Sequence, residues 1–169
     1  VEERSRAKEY LDWLFQQLRG PVYVEGWEER DDVTVIDVPR DCVGYVTGAK
    51  RATLGKIEEE WGTLMFFADF RGRGERHEGD TEKLAIFGRT RARRGAELKV
   101  MAAVETKVPG HFTDRMQVED DDKDGFGTRT LVLKPEELSY ALGKKGMTRK
   151  KLARSSGCIV EYVGYTVFM

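Results

Sequence analysis

Val43-Gly44-Tyr45-Val46-Thr47-Gly48-Ala49-Lys50 and Leu138-Ser139-Tyr140-Ala141-Leu142-Gly143-Lys144-Lys145 are two copies of one pattern, with a tyrosine third, a glycine sixth and a lysine eighth. The offset that relates Gly48 to Gly143 also carries Thr53 onto Thr148, Ile57 onto Leu152, Gly62 onto Gly157, Leu64 onto Ile159 and Phe67 onto Tyr162. No gap is needed over that span. Self-similarity held in register over a helix, its glycine stop and the next strand marks a structural unit used twice.

Working outward from the first copy, residues 33–38 are β-branched and stopped by Pro39, which predicts a strand. Residues 40–47 and the stretch through Leu54, Ile57 and Trp61 to Gly62 predict two helices that pinch a basic turn at 48–51. Strands follow at 63–69 and 83–88, with a long polar loop at 70–82 between them, and a helix at 91–107 ends before Pro109. Around the second copy the same logic predicts a strand at 129–133, helices at 136–142 and 148–156 flanking the turn 143–146, and strands at 158–163 and 165–169. The first unit reads β-α-α-β-β-α; the second lacks the last helix.

A further helix is predicted at 4–19 from Tyr10, Leu11, Leu14, Phe15 and Leu18, stopped by Gly20-Pro21. Arg6, Glu9 and Pro21 share a single offset with Arg94, Glu97 and Pro109, so this helix resembles the final helix of a unit. An uncovered three-stranded face costs several kcal/mol at about 25 cal/mol per Å². The two deficits are complementary, and the N-terminal helix is expected to cover the C-terminal strands, in the same chain or in a neighbouring molecule. The rival arrangement places it at the end of an upstream repeat. The expected division is a helix at 1–22, a first module at 33–108, an acidic linker at 109–127 and a second module at 128–169.

The run from Val43 through Gly48-Ala49-Lys50-Arg51-Ala52-Thr53-Leu54 to Glu58-Glu59-Glu60-Trp61-Gly62 resembles the core of a eukaryotic-type (type I) KH domain. Gly143-Lys144-Lys145-Gly146 keeps the family's GxxG loop itself. A GxxG string alone is weak, but here it lies between two short helices after a strand, in a register-matched repeat. The resemblance implies an α+β fold of two KH-like modules, each a three-stranded antiparallel sheet packed on three helices. It also implies binding of single-stranded RNA, with single-stranded DNA as the alternative. Glycines let the backbone turn sharply beside a phosphodiester, lysines add charge, and an apolar groove holds unstacked bases.

Carried over by position, the second module would use Gly143, Lys144, Lys145 and Gly146 for phosphates, Leu138, Ala141 and Leu142 for the groove, and Arg149, Lys150 and Ile159 beside them. The first would use Gly48, Ala49, Lys50 and Arg51, with Val43, Val46, Leu54 and Leu64 in the groove. Arg51 departs from the pattern by replacing the closing glycine, so its side chain either blocks the backbone or substitutes a charge contact. A KH-like fold kept for protein interaction or dimerisation is the competing function.

The chain of 169 residues carries 29 Lys and Arg against 30 Asp and Glu, and the charges fall in separate blocks. The basic run 144–154 beside the intact loop suits counterion release from phosphates. Cys42 and Cys158 lack metal or disulfide spacing and read as small buried residues in a reducing, intracellular setting, nucleus or cytoplasm. No apolar run reaches membrane-spanning length and no signal-peptide pattern opens the chain. Asp120-Asp121-Asp122-Lys123-Asp124-Gly125 begins like a calcium loop but has Leu131 where the bidentate glutamate belongs, so it reads as linker. Arg71, Arg73, Arg76 and His77 are countered by neighbouring acids. No cofactor, metal or catalytic constellation is expected; the partners are nucleic acid and a second copy or further repeats.

Overall fold

The computed structural model describes residues 2–70, 79–115 and 127–169. In chain order its elements are α1 (Glu2–Gln17), β1 (Val22–Tyr23), β2 (Val33–Pro39), α2 (Arg40–Thr47), α3 (Ala52–Trp61), β3 (Leu64–Asp69), β4 (Thr81–Phe87) and α4 (Thr90–Lys107). They continue with β5 (Thr130–Val132), α5 (Pro135–Leu142), α6 (Met147–Ser156), β6 (Glu161–Val163) and β7 (Thr166–Phe168). The molecule is α+β, with two sheets of the same order, β2-β4-β3 and β5-β7-β6. Both are antiparallel, with Leu64 and Val33 flanking Phe87 in the first and Glu161 and Thr130 flanking Phe168 in the second. The two-residue β1, just past the helix stop at Gly20-Pro21, adds parallel to β3.

Strand alternation sorts the first sheet into two apolar faces. Ile36, Val38, Met65, Leu84 and Ile86 pack against Cys42 and Val46 of α2, Leu54 and Ile57 of α3, and Ala96, Val100 and Val104 of α4. Phe66, Ala85 and Phe87 point the other way, to Trp13 of α1 and to Val22 and Val24. The Trp13 ring lies 4.7 Å from Phe87 and 5.9 Å from Phe66 between centroids. Helix α1 therefore covers the first sheet, not the C-terminal strands. Phe66 and Phe87 give the first sheet an aromatic outer face for Trp13, and α4 already packs on β6 of the C-terminal sheet. Polar contacts fix the helix there, with the Tyr10 hydroxyl donating to Asp32 at 2.8 Å and Arg30 bridging Glu9 and Asp32. Leu11, Phe15 and Leu18, read as part of its buried stripe, are exposed.

Helix α4 serves both sheets. Its Ala96, Val100, Met101 and Val104 belong to the first unit's core, and Val163 and Phe168 of the second sheet join that same cluster. The missing helix of the second unit is thus replaced by one borrowed from the first. By contrast α5 buries no residue. The Tyr162 hydroxyl ties it down by donating to the Ala141 carbonyl at 3.1 Å.

Cys42 is buried as expected, whereas Cys158 is exposed, because it follows the helix-ending Gly157 and precedes β6. The cations at 71, 73, 76 and 77 and the acidic stretch 120–125 lie outside the described residues. Among the described residues no helix is long and apolar enough to cross a membrane, and no cluster of three or more His, Cys, Asp or Glu could hold a metal ion.

Candidate nucleic-acid interface

The two loops share one backbone path. Gly48 and Gly143 have φ/ψ of 71°/166° and 70°/171°, Lys50 and Lys145 have 51°/37° and 54°/29°, and Arg51 and Gly146 have 63°/20° and 72°/20°. Each loop is closed by the same 3.1 Å bond, from the Arg51 amide to the Gly48 carbonyl and from the Gly146 amide to the Gly143 carbonyl. The opening glycine is required sterically as well as torsionally. A Cβ there would fall 2.3 Å from Thr53 Oγ1 in one loop and 2.1 Å from Thr148 Oγ1 in the other. At the closing position a Cβ on Gly146 meets nothing nearer than Arg149 Nε at 3.8 Å. Arg51 therefore keeps the loop's shape and costs only its left-handed torsion, about 1–2 kcal/mol.

What Arg51 changes is the cleft. Its Nη2 donates to the Met65 carbonyl at 2.7 Å and to Glu58 Oε1 at 3.3 Å, while the Met65 amide donates to the same Glu58 oxygen at 2.7 Å. Both backbone groups of Met65 on the outer edge of β3 are thereby occupied by the chain's own side chains. The expected groove residues Val46 and Leu54 are 0% and 1% exposed and belong to the core, since they sit on the inward stripes of α2 and α3. Val43 packs partly buried against that core, and Leu64 turns to the opposite face, toward α1. Gly48, Ala49, Lys50 and Arg51 remain together at the surface, beside a β3 edge that is occupied at Met65 by Arg51 and Glu58.

The second unit is open where the first is closed. A cavity of about 900 Å³ runs along β6. Leu138 and Leu142 of α5 give it an apolar wall, and Lys145, Gly146 and Lys150 line the loop side. Tyr162 lines it from β6. Its far side comes from the first unit: Lys99, Ala102 and Thr106 of α4, then Pro109, Gly110, Thr113 and Asp114 of the turn that follows. That turn reads as linker in the sequence. The described residues lining the cavity do not include Ala141, Gly143, Lys144 or Ile159. Lys144 is exposed beside it.

Arg149, expected among the phosphate contacts, is 4% exposed and committed elsewhere. It wraps the free edge of β6, donating to the Val160 carbonyl at 3.1 Å, to the Glu161 carboxylate, and to Glu60 Oε1 of α3 at 2.7 Å. Lys99 Nζ approaches Glu161 Oε2 at 3.2 Å and Glu60 Oε2 at 3.8 Å. Burial holds the Glu161 carboxyl above the usual carboxylate range although Lys99 and Arg149 pull it down. For Glu60 burial also raises, but the Arg149 hydrogen bond and Lys99 outweigh it and leave the carboxyl below that range. The register of the repeat explains the misreading. Arg149 occupies the place of Leu54 and Glu161 that of Phe66, both core positions in the first unit.

The turn after α4 is fastened by Glu105. Its carboxylate accepts from the Gly110 amide at 2.6 Å, the Phe112 amide at 3.0 Å and the Thr113 hydroxyl. Burial would raise its carboxyl, but these donors outweigh it and hold the group below its ordinary value. One carboxylate thus fixes Gly110 and Thr113 of the cavity's lining, and Phe112 between them, a role that composition and periodicity do not signal.

The strand order and the helix pair with its sharp glycine loop recur, so the chain holds two α+β units of one design. No protein-family model and no curated protein matches the sequence. Among solved structures the chain is similar to one in the crystal structure of the a/eIF2alpha–aDim2p–rRNA complex from Pyrococcus horikoshii OT3. It shares 19% identity over 84% of this chain and 77% of that one, with a TM-score of 0.35. It is likewise similar to Dim2p from Pyrococcus horikoshii OT3, at 19% identity over 82% of this chain and 80% of that one, again with a TM-score of 0.35. A superposition this loose defines neither a partner nor a site.

Proposed function

We propose that this chain binds single-stranded RNA through its C-terminal unit, with the first unit as a closed, supporting copy. The observation that carries the reading is the cavity along β6, which joins Lys145, Gly146 and Lys150 at one side to the apolar Leu138 and Leu142. Lysines beside a glycine loop neutralise phosphate without demanding fixed geometry, and an apolar wall accepts unstacked bases. Lys144 at the loop's tip adds a third positive charge, and the chemistry is binding, not catalysis. Single-stranded DNA meets the same loop and groove, and serves as the competitor in the test.

The experiment is a titration of labelled random single-stranded RNA against the parent and a Lys144→Asp, Lys145→Asp form at low and moderate salt. Both lysines are exposed, so reversal leaves the core intact. The parent binds with an affinity that falls as salt rises, and the altered form loses most of that binding. Equal binding by both forms overturns the site, and no salt-sensitive binding by the parent overturns the reading. In the latter case the protein-interaction alternative stands, which the self-occupied edge at Met65 already favours for the first unit.

A further inference from the structure

We infer that the first unit supplies the base-reading wall of the C-terminal cleft, and that Asp114 on this wall selects bases carrying an exocyclic amino group over uracil. The inference rests on the RNA reading above and concerns which strand is preferred. The cavity's charges are segregated. Lys145 and Lys150 come from the loop and α6 of the C-terminal unit, whereas Thr113 and Asp114 come from the turn that follows α4.

The turn is built to hold that carboxylate still. Glu105 clamps the amides of Gly110 and Phe112 and the Thr113 hydroxyl, and the Asp114 amide donates to the Gly110 carbonyl at 3.3 Å. The Asp114 carboxylate lies over the bare Cα of Gly110, where a Cβ would come within 2.3 Å of Oδ2. Three further carboxylates line the cavity: Glu105 is taken by the turn itself, and Glu60 and Glu161 are bonded to Arg149. Asp114 is exposed, and so is Glu60, but the Glu60 carboxylate is already taken by Arg149 and Lys99.

A polyanion entering this cleft is attracted to the lysines and repelled by Asp114, so its backbone follows the loop and its bases turn toward the first unit. There a carboxylate accepts a hydrogen bond from the N4 amino group of cytosine or the N6 amino group of adenine. Uracil presents an O4 acceptor at the corresponding place and meets the same carboxylate as repulsion. Lys99, also on this wall, is held by Glu161 and Glu60 and leaves the wall's free charge negative.

The test compares short cytosine, adenine and uracil oligoribonucleotides on the full chain and on Asp114→Ala and Asp114→Asn forms. The parent binds the cytosine and adenine oligomers about tenfold more tightly than the uracil oligomer, within the range one good base contact discriminates. Both variants bind uracil more tightly than the parent does, and the preference falls to about twofold or less. A parent without base preference, or a preference that survives in both variants, overturns the inference while leaving RNA binding in place. A parent that binds none of the oligomers overturns the RNA reading itself. The Lys144→Asp, Lys145→Asp form separates these outcomes, since it lowers affinity for all three oligomers alike.

Discussion

Arg149 of the C-terminal unit and Glu60 of the first unit meet at 2.7 Å across 89 residues of chain. With Glu161 and Lys99 they form the polar joint between the two units, beside the apolar joint made by α4 with Val163 and Phe168. The cleft lies directly over this joint, so the geometry of the loop at 143–146 depends on it.

Removing one member of a buried charge group is costly, because it leaves the others desolvated and unpaired. Arg149→Leu leaves the buried Glu161 with Lys99 as its remaining partner and destabilises the chain by up to about 3–5 kcal/mol. Adding Glu161→Leu restores much of that loss, since apolar residues already serve at the matching positions Leu54 and Phe66. Chemical denaturation of the two single variants and the double variant checks this. A double variant less stable than Arg149→Leu alone would show that the charges contribute net stability.

At Arg51 the backbone and the side chain work in opposite senses. Arg51→Gly relieves a left-handed torsion worth about 1–2 kcal/mol and loses a hydrogen bond to Met65 worth about 0.5–1.5 kcal/mol, so its stability stays close to the parent's. Arg51→Ala loses the bond and keeps the torsion, and is less stable than Arg51→Gly by about 1 kcal/mol. Denaturation midpoints of the pair decide it, and equal midpoints would mean that the torsion carries no cost.

Much of this was legible in the sequence. The register of the repeat placed both loops, both helix pairs and the order of elements along the chain, because glycine stops and β-branched runs are local signals. The partner of α1 was not legible from the complementary deficits. Which sheet a helix covers depends on which face is most apolar, and Phe66 and Phe87 declare their face only once strand alternation is set against their neighbours. Arg149 looked like one more cation in a basic run, although Leu54 in its register position already marked the place as interior. The far wall at 109–114 had no repeat counterpart to announce it, and its shape comes from Glu105, one turn back in α4.

The docking of α1 depends on pH at both extremes. Burial tends to raise the Asp32 carboxyl, but Arg30, Tyr10 and Arg6 outweigh it and hold it below its ordinary value. A depressed carboxyl contributes stability above its unfolded pKa of about 4, and the contribution is lost as pH falls through the folded value. Burial and the bond to Asp32 push the Tyr10 hydroxyl well above its ordinary value. A raised phenol contributes fully below about pH 10, and its contribution is lost as pH rises through the folded value. Stability measured against pH therefore falls at both ends. Tyr10→Phe removes its share of the alkaline fall and lessens the acid one, since Arg30 and Arg6 still hold Asp32 down without it, and an unchanged alkaline arm would place that fall on other groups.

Trp13 is the residue by which α1 holds the first sheet. It is 8% exposed, stacks on Tyr10 at 5.8 Å between centroids, and lies under the Arg30 guanidinium at 5.1 Å. Truncation to alanine opens a cavity over Phe66 and Phe87 and costs about 3–5 kcal/mol. The consequence is local as well as global. Hydrogen exchange in Trp13→Ala accelerates first at β1 and at the β3 and β4 amides under the helix. The amides of β6 and β7, covered by α4, keep protection until the whole chain opens. If β6 and β7 lose protection ahead of β3 and β4, then α1 serves the C-terminal sheet after all, and the covering role assigned here to α4 fails with it.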